Sequence, residues 1–391
     1  MSGGPLSGVK VLELAGIGPA PFAGMTLADL GAEVVRVDRP GGSGFFPGAE
    51  HLDLLNRGKR SILLDLKKPE AVETVLAMTA EADVLIEGYR PGVAERLGLG
   101  PDACHARNPR LVYGRMTGWG QDGPLAQTAG HDIGYIALTG ALHAIGEAGG
   151  GPQIPLNLLG DFGGGGNYLV IGVLAALREA DRTGRGQVVD AAIVDGTAHL
   201  LAGTHMMLAT GTWVDERGVN LLDGGAPFYS VYETADGRYM AVGALEPRFY
   251  AELLAKLELD EDPGKQHDRT LWPALRARIA AAFSARSQAE WSALFAESDA
   301  CVAPVVSLRE AAHHPHIKAR GSIVEHDGLL QPAPAPRFSL TPTTIGTPPP
   351  APGRHTIEVL GDWGIDDAAA LIDSGAAVQV PAGDAKDRRR E

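Results

Sequence analysis

Along the first 120 residues, short apolar runs alternate with longer stretches of helical character. Residues 9–15 (VKVLELA) form one apolar run, residues 19–30 open with a proline and read as a helix, and residues 33–38 (EVVRVD) form the next run. This order predicts a strand, a helix and a strand. Residues 61–66 (SILLDL), 69–82 and 83–89 (DVLIEGY) repeat the unit, and 111–116 follow a further helical stretch as another strand. Strands that alternate with helices predict a mostly parallel sheet covered on both faces, with ligands expected at the carboxyl ends of its strands.

Past Gly120 the texture changes to loops rich in glycine and proline, with helical segments near 132–144, 167–179 and 191–209. Between 226 and 244 two strand-like runs, FYSVYET and YMAVGAL, flank the turn Ala235-Asp236-Gly237-Arg238, which is a hairpin signal. Helical stretches at 247–257, 269–282 and 288–297 follow, and a strand-like run at 301–307 closes this region. The pattern predicts a large α/β domain over 1–200, completed by 320–378, a linker over 201–224 and a small α+β domain over 225–319. The dense prolines of 331–354 predict an extended connection laid over a surface. The tail 379–391, ending KDRRRE, is expected to be disordered. No internal repeat is visible.

Composition narrows the function classes. The 391 residues are 45% apolar and 21% charged, an ordinary soluble globular balance. Thirty-four basic against 48 acidic residues give a net charge of −14, which disfavours a nucleic-acid partner and means that an anionic ligand needs a local basic patch. Cys104 and Cys301 are too few for a disulfide framework or a cysteine zinc site, and both read as reduced, buried thiols. With no basic-then-apolar leader and no apolar run of about 18 residues, the expectation is a cytoplasmic enzyme without a membrane span.

The obvious cofactor motifs fail. In Gly16-Ile17-Gly18-Pro19-Ala20-Pro21, proline replaces the third glycine of a dinucleotide fingerprint. No phosphate-binding loop and no nucleophile elbow occur. His313-His314-Pro315-His316 lacks a carboxylate or cysteine at ligand spacing, so a solvated turn and no metal are expected. Two segments carry more chemistry: Gly130-His131-Asp132-Ile133 opens a helix, and Leu159-Gly160-Asp161-Phe162 leads through Gly163–Gly166 into another helical run. Helix starts offer unpaired N–H groups and a positive dipole end to a carboxylate or a developing oxyanion. Asp132 and Asp161 read equally as plain N-caps. Four consecutive glycines suit a place where backbone closely approaches a ligand or another chain.

The residues 5–42, NRGKRSILLDLK, DVLIEGYRPGVAERLGLG, GRMTGWGQDGP and LLGDFGGGG together resemble the family III CoA-transferases, in the family's order and over most of the chain to about Trp363. Within that family, GHDI, GDFGGGG and the run from Val242 to Tyr250 are similar to the α-methylacyl-CoA racemase branch. Position 131 decides between branches, since the transferase members generally carry a non-basic residue there. The resemblance implies interconversion of (R)- and (S)-2-methylacyl-CoA by 1,1-proton transfer through an enolate. His131 and Asp161 are then the two acid/bases, Glu246 orients His131, and Asp132 lies beside the thioester oxygen.

The same resemblance assigns the CoA moiety to Arg39, to Leu64, Asp65, Leu66 and Lys67, to Gly88, Tyr89 and Arg90, to Arg96, and to Gly130, His131, Asp132, Ile133, Gly134 and Tyr135. Lys59 and Arg60 join these as basic candidates for the nucleotide phosphates. No cofactor is implied, CoA entering only as part of the acyl-CoA substrate. The implied fold is a large Rossmann-like parallel-sheet domain plus a smaller α+β domain, in an interlocked homodimer. Met206-Met207 suits either a soft surface for branched acyl chains or a helix core. Two alternatives remain: a CoA transferase with Asp161 as nucleophile, and a CoA-binding protein without chemistry.

Overall fold

The computed structural model describes residues 3–42 and 50–381. The chain divides into two compact units, one of Met1–Thr139, Leu156–Leu200 and Lys318–Glu391, the other of Gly140–Pro155 and Leu201–Ile317. Among the described residues the strands are β1 (Lys10–Leu14), β2 (Glu33–Asp38), β3 (Lys59–Leu64), β4 (Val84–Glu87), β5 (Val112–Thr117), β6 (Val188–Ala192), β7 (Tyr229–Glu233), β8 (Tyr239–Gly243), β9 (Val302–Val305), β10 (Ile323–His326), β11 (Leu329–Pro332) and β12 (Ala377–Val378).

The large unit is built on one mostly parallel sheet. Its order is β12-β3-β2-β1-β4-β5-β6, with β12 antiparallel at the β3 edge. Strand pleating sends neighbours to opposite faces. Val11, Val34, Val84 and Val112 pack on one side with the Pro19–Asp29 helix and Leu169 and Val173, while Leu12, Val35, Leu85 and Tyr113 pack on the other with Val75, Met78 and Trp363. Burial on both faces is what the near-continuous apolar strands demand. The order reverses direction between β1 and β4, which makes the carboxyl ends of these two strands the expected ligand crevice.

The second unit holds the antiparallel sheet β7-β8-β9. Its turn closes as the 226–244 pattern predicts, with Thr234 N–H donating to Arg238 O at 2.8 Å and Gly237 at φ 71°. The core is aromatic, and Tyr232 stacks on Phe283 at 5.5 Å.

Several expectations are corrected. Residues 140–155 and 201–224, expected in the large domain and as a linker, belong to the second unit. Arg217 ties them together by donating to His143 O at 2.7 Å and Gly150 O at 2.8 Å. The helix expected from 191 starts at Ile193, because Val188–Ala192 pairs as strand β6 beside β5. The helix Ala202–Ala209 buries none of its residues, which excludes the core reading of Met206-Met207. Cys104 is buried, but Cys301 is exposed, at φ 55° just before β9.

The glycine run is part of a π-helical turn, Leu158–Gly166, that continues into the helix Asn167–Thr183. Together they form an apolar helix of 26 residues, long enough to cross a membrane, where no such run was expected. The sequence pattern starts this helix only at 167, nine residues after its observed start at Leu158. Leu169, Val170, Val173, Ala176 and Ala180 bury one face of this helix. The close approach that the glycines permit is within the chain: a Cβ on Gly164 would lie 2.5 Å from Thr197 Oγ1, and one on Gly166 would lie 2.6 Å from Phe22 Cδ1. Residues 333–355 carry neither helix nor strand. Most of the tail 379–391 lies outside the described residues.

Candidate active site

His131 is the exposed N-cap of the helix Asp132–Leu138, and its carbonyl accepts the N–H of Gly134 at 2.8 Å. Among the described residues, the N–H groups of Asp132 and Ile133 have no acceptor, as expected for a helix start. Asp132 itself is only 8% exposed. Its Oδ2 accepts the backbone N–H of Asp161 at 2.7 Å, while its Oδ1 has no hydrogen-bond partner. This contact joins the two segments picked out in the sequence. It also requires a glycine at 160, where a Cβ would lie 2.2 Å from Asp132 Oδ2.

Asp161 Oδ2 accepts from the Asn157 side chain at 3.2 Å, one helical turn earlier. On the other side the turn Gly16-Ile17-Gly18 closes over it: a Cβ on Gly18, at φ 70°, would lie 3.4 Å from Asp161 Oδ2. The abandoned dinucleotide motif thus packs against a candidate catalytic carboxyl. Burial raises the Asp161 pKa, opposed by the Asn157 hydrogen bond, while the neighbouring Asp132 raises it further and His131 lowers it. The Tyr135 hydroxyl is pushed up by burial and by Asp161 and drawn down by Arg90, which sets these three in one neighbourhood. The Tyr135 ring fills the space left by Gly118 and Gly130 and meets Trp119 edge-on at 4.7 Å.

Glu246 lies in the second unit, exposed at the N-cap of the helix Pro247–Lys256, with the Cys301 thiol among its electrostatic neighbours.

The basic candidates separate into two sets. Lys59 is fully buried, paired with Glu13 at 2.7 Å and donating to Pro21 O at 3.0 Å, and Arg60 is ion-paired with Glu33, Glu358 and Asp362. Neither is free for phosphate, because carboxylates of the same chain already occupy both. Arg39, Lys67, Arg90 and Arg96 have no carboxylate within 4.0 Å among the described residues. All four follow the carboxyl ends of β2, β3 or β4. Leu64 is fully buried and Leu66 packs on the same core, so that segment offers a ligand backbone and Lys67 rather than leucine side chains. Asn157 escaped the sequence reading, although its place four residues before Asp161 was a usable signal.

The sequence model of CoA-transferase family III matches residues 6–356. The chain is 47% identical over 369 residues to mouse alpha-methylacyl-CoA racemase, covering 94% of this chain and 95% of that one. It is 46% identical over 364 residues to the human racemase, covering 92% and 93%. The crystal structure of a CAIB/BAIF family protein from Brucella suis superposes with a TM-score of 0.78 at 29% identity, covering 92% of this chain and 99% of that one.

Proposed function

This chain belongs to CoA-transferase family III, and we infer that it is an α-methylacyl-CoA racemase, an isomerase that interconverts (R)- and (S)-2-methylacyl-CoA. The observation that carries the reading is the 46–47% identity to mouse and human racemases over nearly the whole chain. The joining of the His131 and Asp161 segments through Asp132 supports it.

A thioester carbonyl acidifies the α C–H, so inversion needs one base on each face and a donor for the enolate oxygen. His131 removes the α-proton from one epimer. Protonated Asp161 then returns a proton to the other face, which leaves His131 charged and Asp161 ionised until solvent resets them. In the reverse direction the roles exchange. The raised pKa of Asp161 supports its entry as an acid. The free N–H groups of Asp132 and Ile133 suit the developing enolate oxygen. Asn157 positions the Asp161 carboxyl. Arg39, Lys67, Arg90 and Arg96 serve the phosphates of CoA.

Two bases and an acidified carbon need no added group, so the reaction is cofactor-independent and survives exhaustive EDTA dialysis. The enzyme works as an interlocked homodimer. In support, its large unit is assembled from three chain segments and exposes Leu138, Leu156, Leu158 and Ile171. A monomeric mass for active enzyme by light scattering would refute this.

Proton NMR in deuterium oxide, with one epimer of a 2-methylacyl-CoA and no acyl acceptor, tests the activity. The α-proton is expected to disappear as the epimer ratio approaches one. Turnover only when a second carboxylate is added would assign CoA transfer through an aspartyl thioester at Asp161 instead.

A further inference from the structure

Glu87 and Arg115 stand opposite one another in the parallel ladder of β4 and β5. Both are buried, Glu87 at 1% and Arg115 at 8% exposure. Arg115 Nε donates to Glu87 Oε1 at 3.0 Å, and its Nη2 donates to Glu95 Oε1 at 2.7 Å. The second oxygen of Glu87 accepts the backbone N–H of Tyr89 at 2.7 Å. One guanidinium therefore ties the end of β4 to the start of the following loop, through Glu87, and to the helical turn Val93–Arg96, through Glu95. Gln127 adds a third hold by donating to Pro91 O at 3.1 Å.

These contacts converge on a segment whose own cations are free. Arg90 follows the clamped Tyr89, Arg96 follows the clamped Glu95, and neither has a carboxylate within 4.0 Å among the described residues. A buried ion pair contributes little net stability against an apolar replacement, so stability alone is a weak reason for a charged pair at this point of the sheet. A planar fork that donates in two fixed directions is a good reason for arginine rather than lysine.

We propose that Arg115 is a positioning residue for an anion-binding turn over residues 88–96, holding Arg90 and Arg96 ready for the phosphates of the substrate. The inference rests on the acyl-CoA reading above. Preorganised cations lose less conformational freedom on binding, so the clamp acts on affinity and leaves the proton transfers alone.

The test uses the full-length enzyme. Replacing Arg115 by an apolar residue would strand the buried Glu87 carboxylate, so the first variant is Glu95→Ala, at a side chain 45% exposed. Loss of one charge-assisted hydrogen bond is expected to raise KM for 2-methylacyl-CoA, and the dissociation constant for free coenzyme A, by roughly five- to twentyfold with kcat little changed. Arg115→Lys, which keeps the charge and loses the fork, should give the same split, and Glu95→Gln should recover most of the affinity. The corresponding N-acetylcysteamine thioester, which lacks the nucleotide, should be turned over by every variant as by wild type. Equal losses on the truncated thioester, or an unchanged KM in both Glu95→Ala and Arg115→Lys, would overturn the proposal. Wild-type enzyme that binds no free coenzyme A would overturn the acyl-CoA reading, and the proposal with it.

Discussion

At the start of β3, Lys59 and Arg60 are consumed by the fold, one in a fully buried pair with Glu13 and the other among three surface carboxylates. Beyond the carboxyl ends of β2, β3 and β4, Arg39, Lys67, Arg90 and Arg96 have no such partners among the described residues. The side chains are of the same kinds, and the strand order separates their uses. At the amino end of β3 the two cations are taken up by carboxylates of β1, β2 and the helix Thr356–Asp362. At the carboxyl end, loops leave the sheet beside helix starts, where anions are favoured. Residue type therefore says little about phosphate binding until the end of the sheet is known.

The largest expected effect lies at the carboxyl end. His131→Ala and Asp161→Ala should each lose about 10²–10⁴-fold in racemisation in both directions, since every turnover needs one group to take a proton and the other to give one. Deuterium exchange followed from each pure epimer should separate them. His131→Ala should retain slow exchange mainly from the epimer facing Asp161, and Asp161→Ala the opposite. Normal turnover by His131→Ala, with hydroxylamine trapping of wild-type Asp161, would remove the racemase assignment.

A reciprocal pair of variants probes the two ends directly. Lys59→Met strands the Glu13 carboxylate in the core and should cost about 3–5 kcal/mol of stability with KM preserved in the folded fraction. Glu13→Leu added to it should restore much of the loss. Arg90→Ala should leave the melting temperature nearly unchanged and raise KM by roughly tenfold, more steeply at low salt. If Lys59→Met raised KM without destabilising the fold, the division between the ends would collapse.

The smallest effect concerns pH. Burial, aided by Asp132, raises the Asp161 pKa, so the folded state keeps that proton to higher pH than the unfolded chain does. Stability from this group is complete below the unfolded value of about 3.9 and is lost as pH rises through the folded value. Asp161→Asn escapes that loss. Its melting temperature should exceed wild type by about 1–3 °C near pH 7.5, with the gain vanishing towards pH 3.5. A gain independent of pH would point to packing rather than charge.

Much of this protein is legible in its sequence. Apolar runs buried on both faces can scarcely be anything but strands of a covered parallel sheet, so β1, β2, β4 and β5 fall within a residue or two of expectation. His131, Asp132 and Asp161 stand out because they sit beside glycines at helix starts, and consecutive glycines there are costly without a purpose. Tertiary structure decided the rest, because one-dimensional patterns carry no partners. Lys59 reads like Arg90 until Glu13, 46 positions away in sequence, is found against it. GDFGGGG reads as a place for a ligand or another chain until the Pro19–Asp29 and Ile193–Leu200 helices are seen to pack where side chains would have been. Glu87 and Arg115 look like blemishes in apolar strands until the parallel register sets them side by side. Local spacing encodes backbone geometry, whereas the state of a charge depends on which distant group removes it from water, and only the folded chain brings that group within reach.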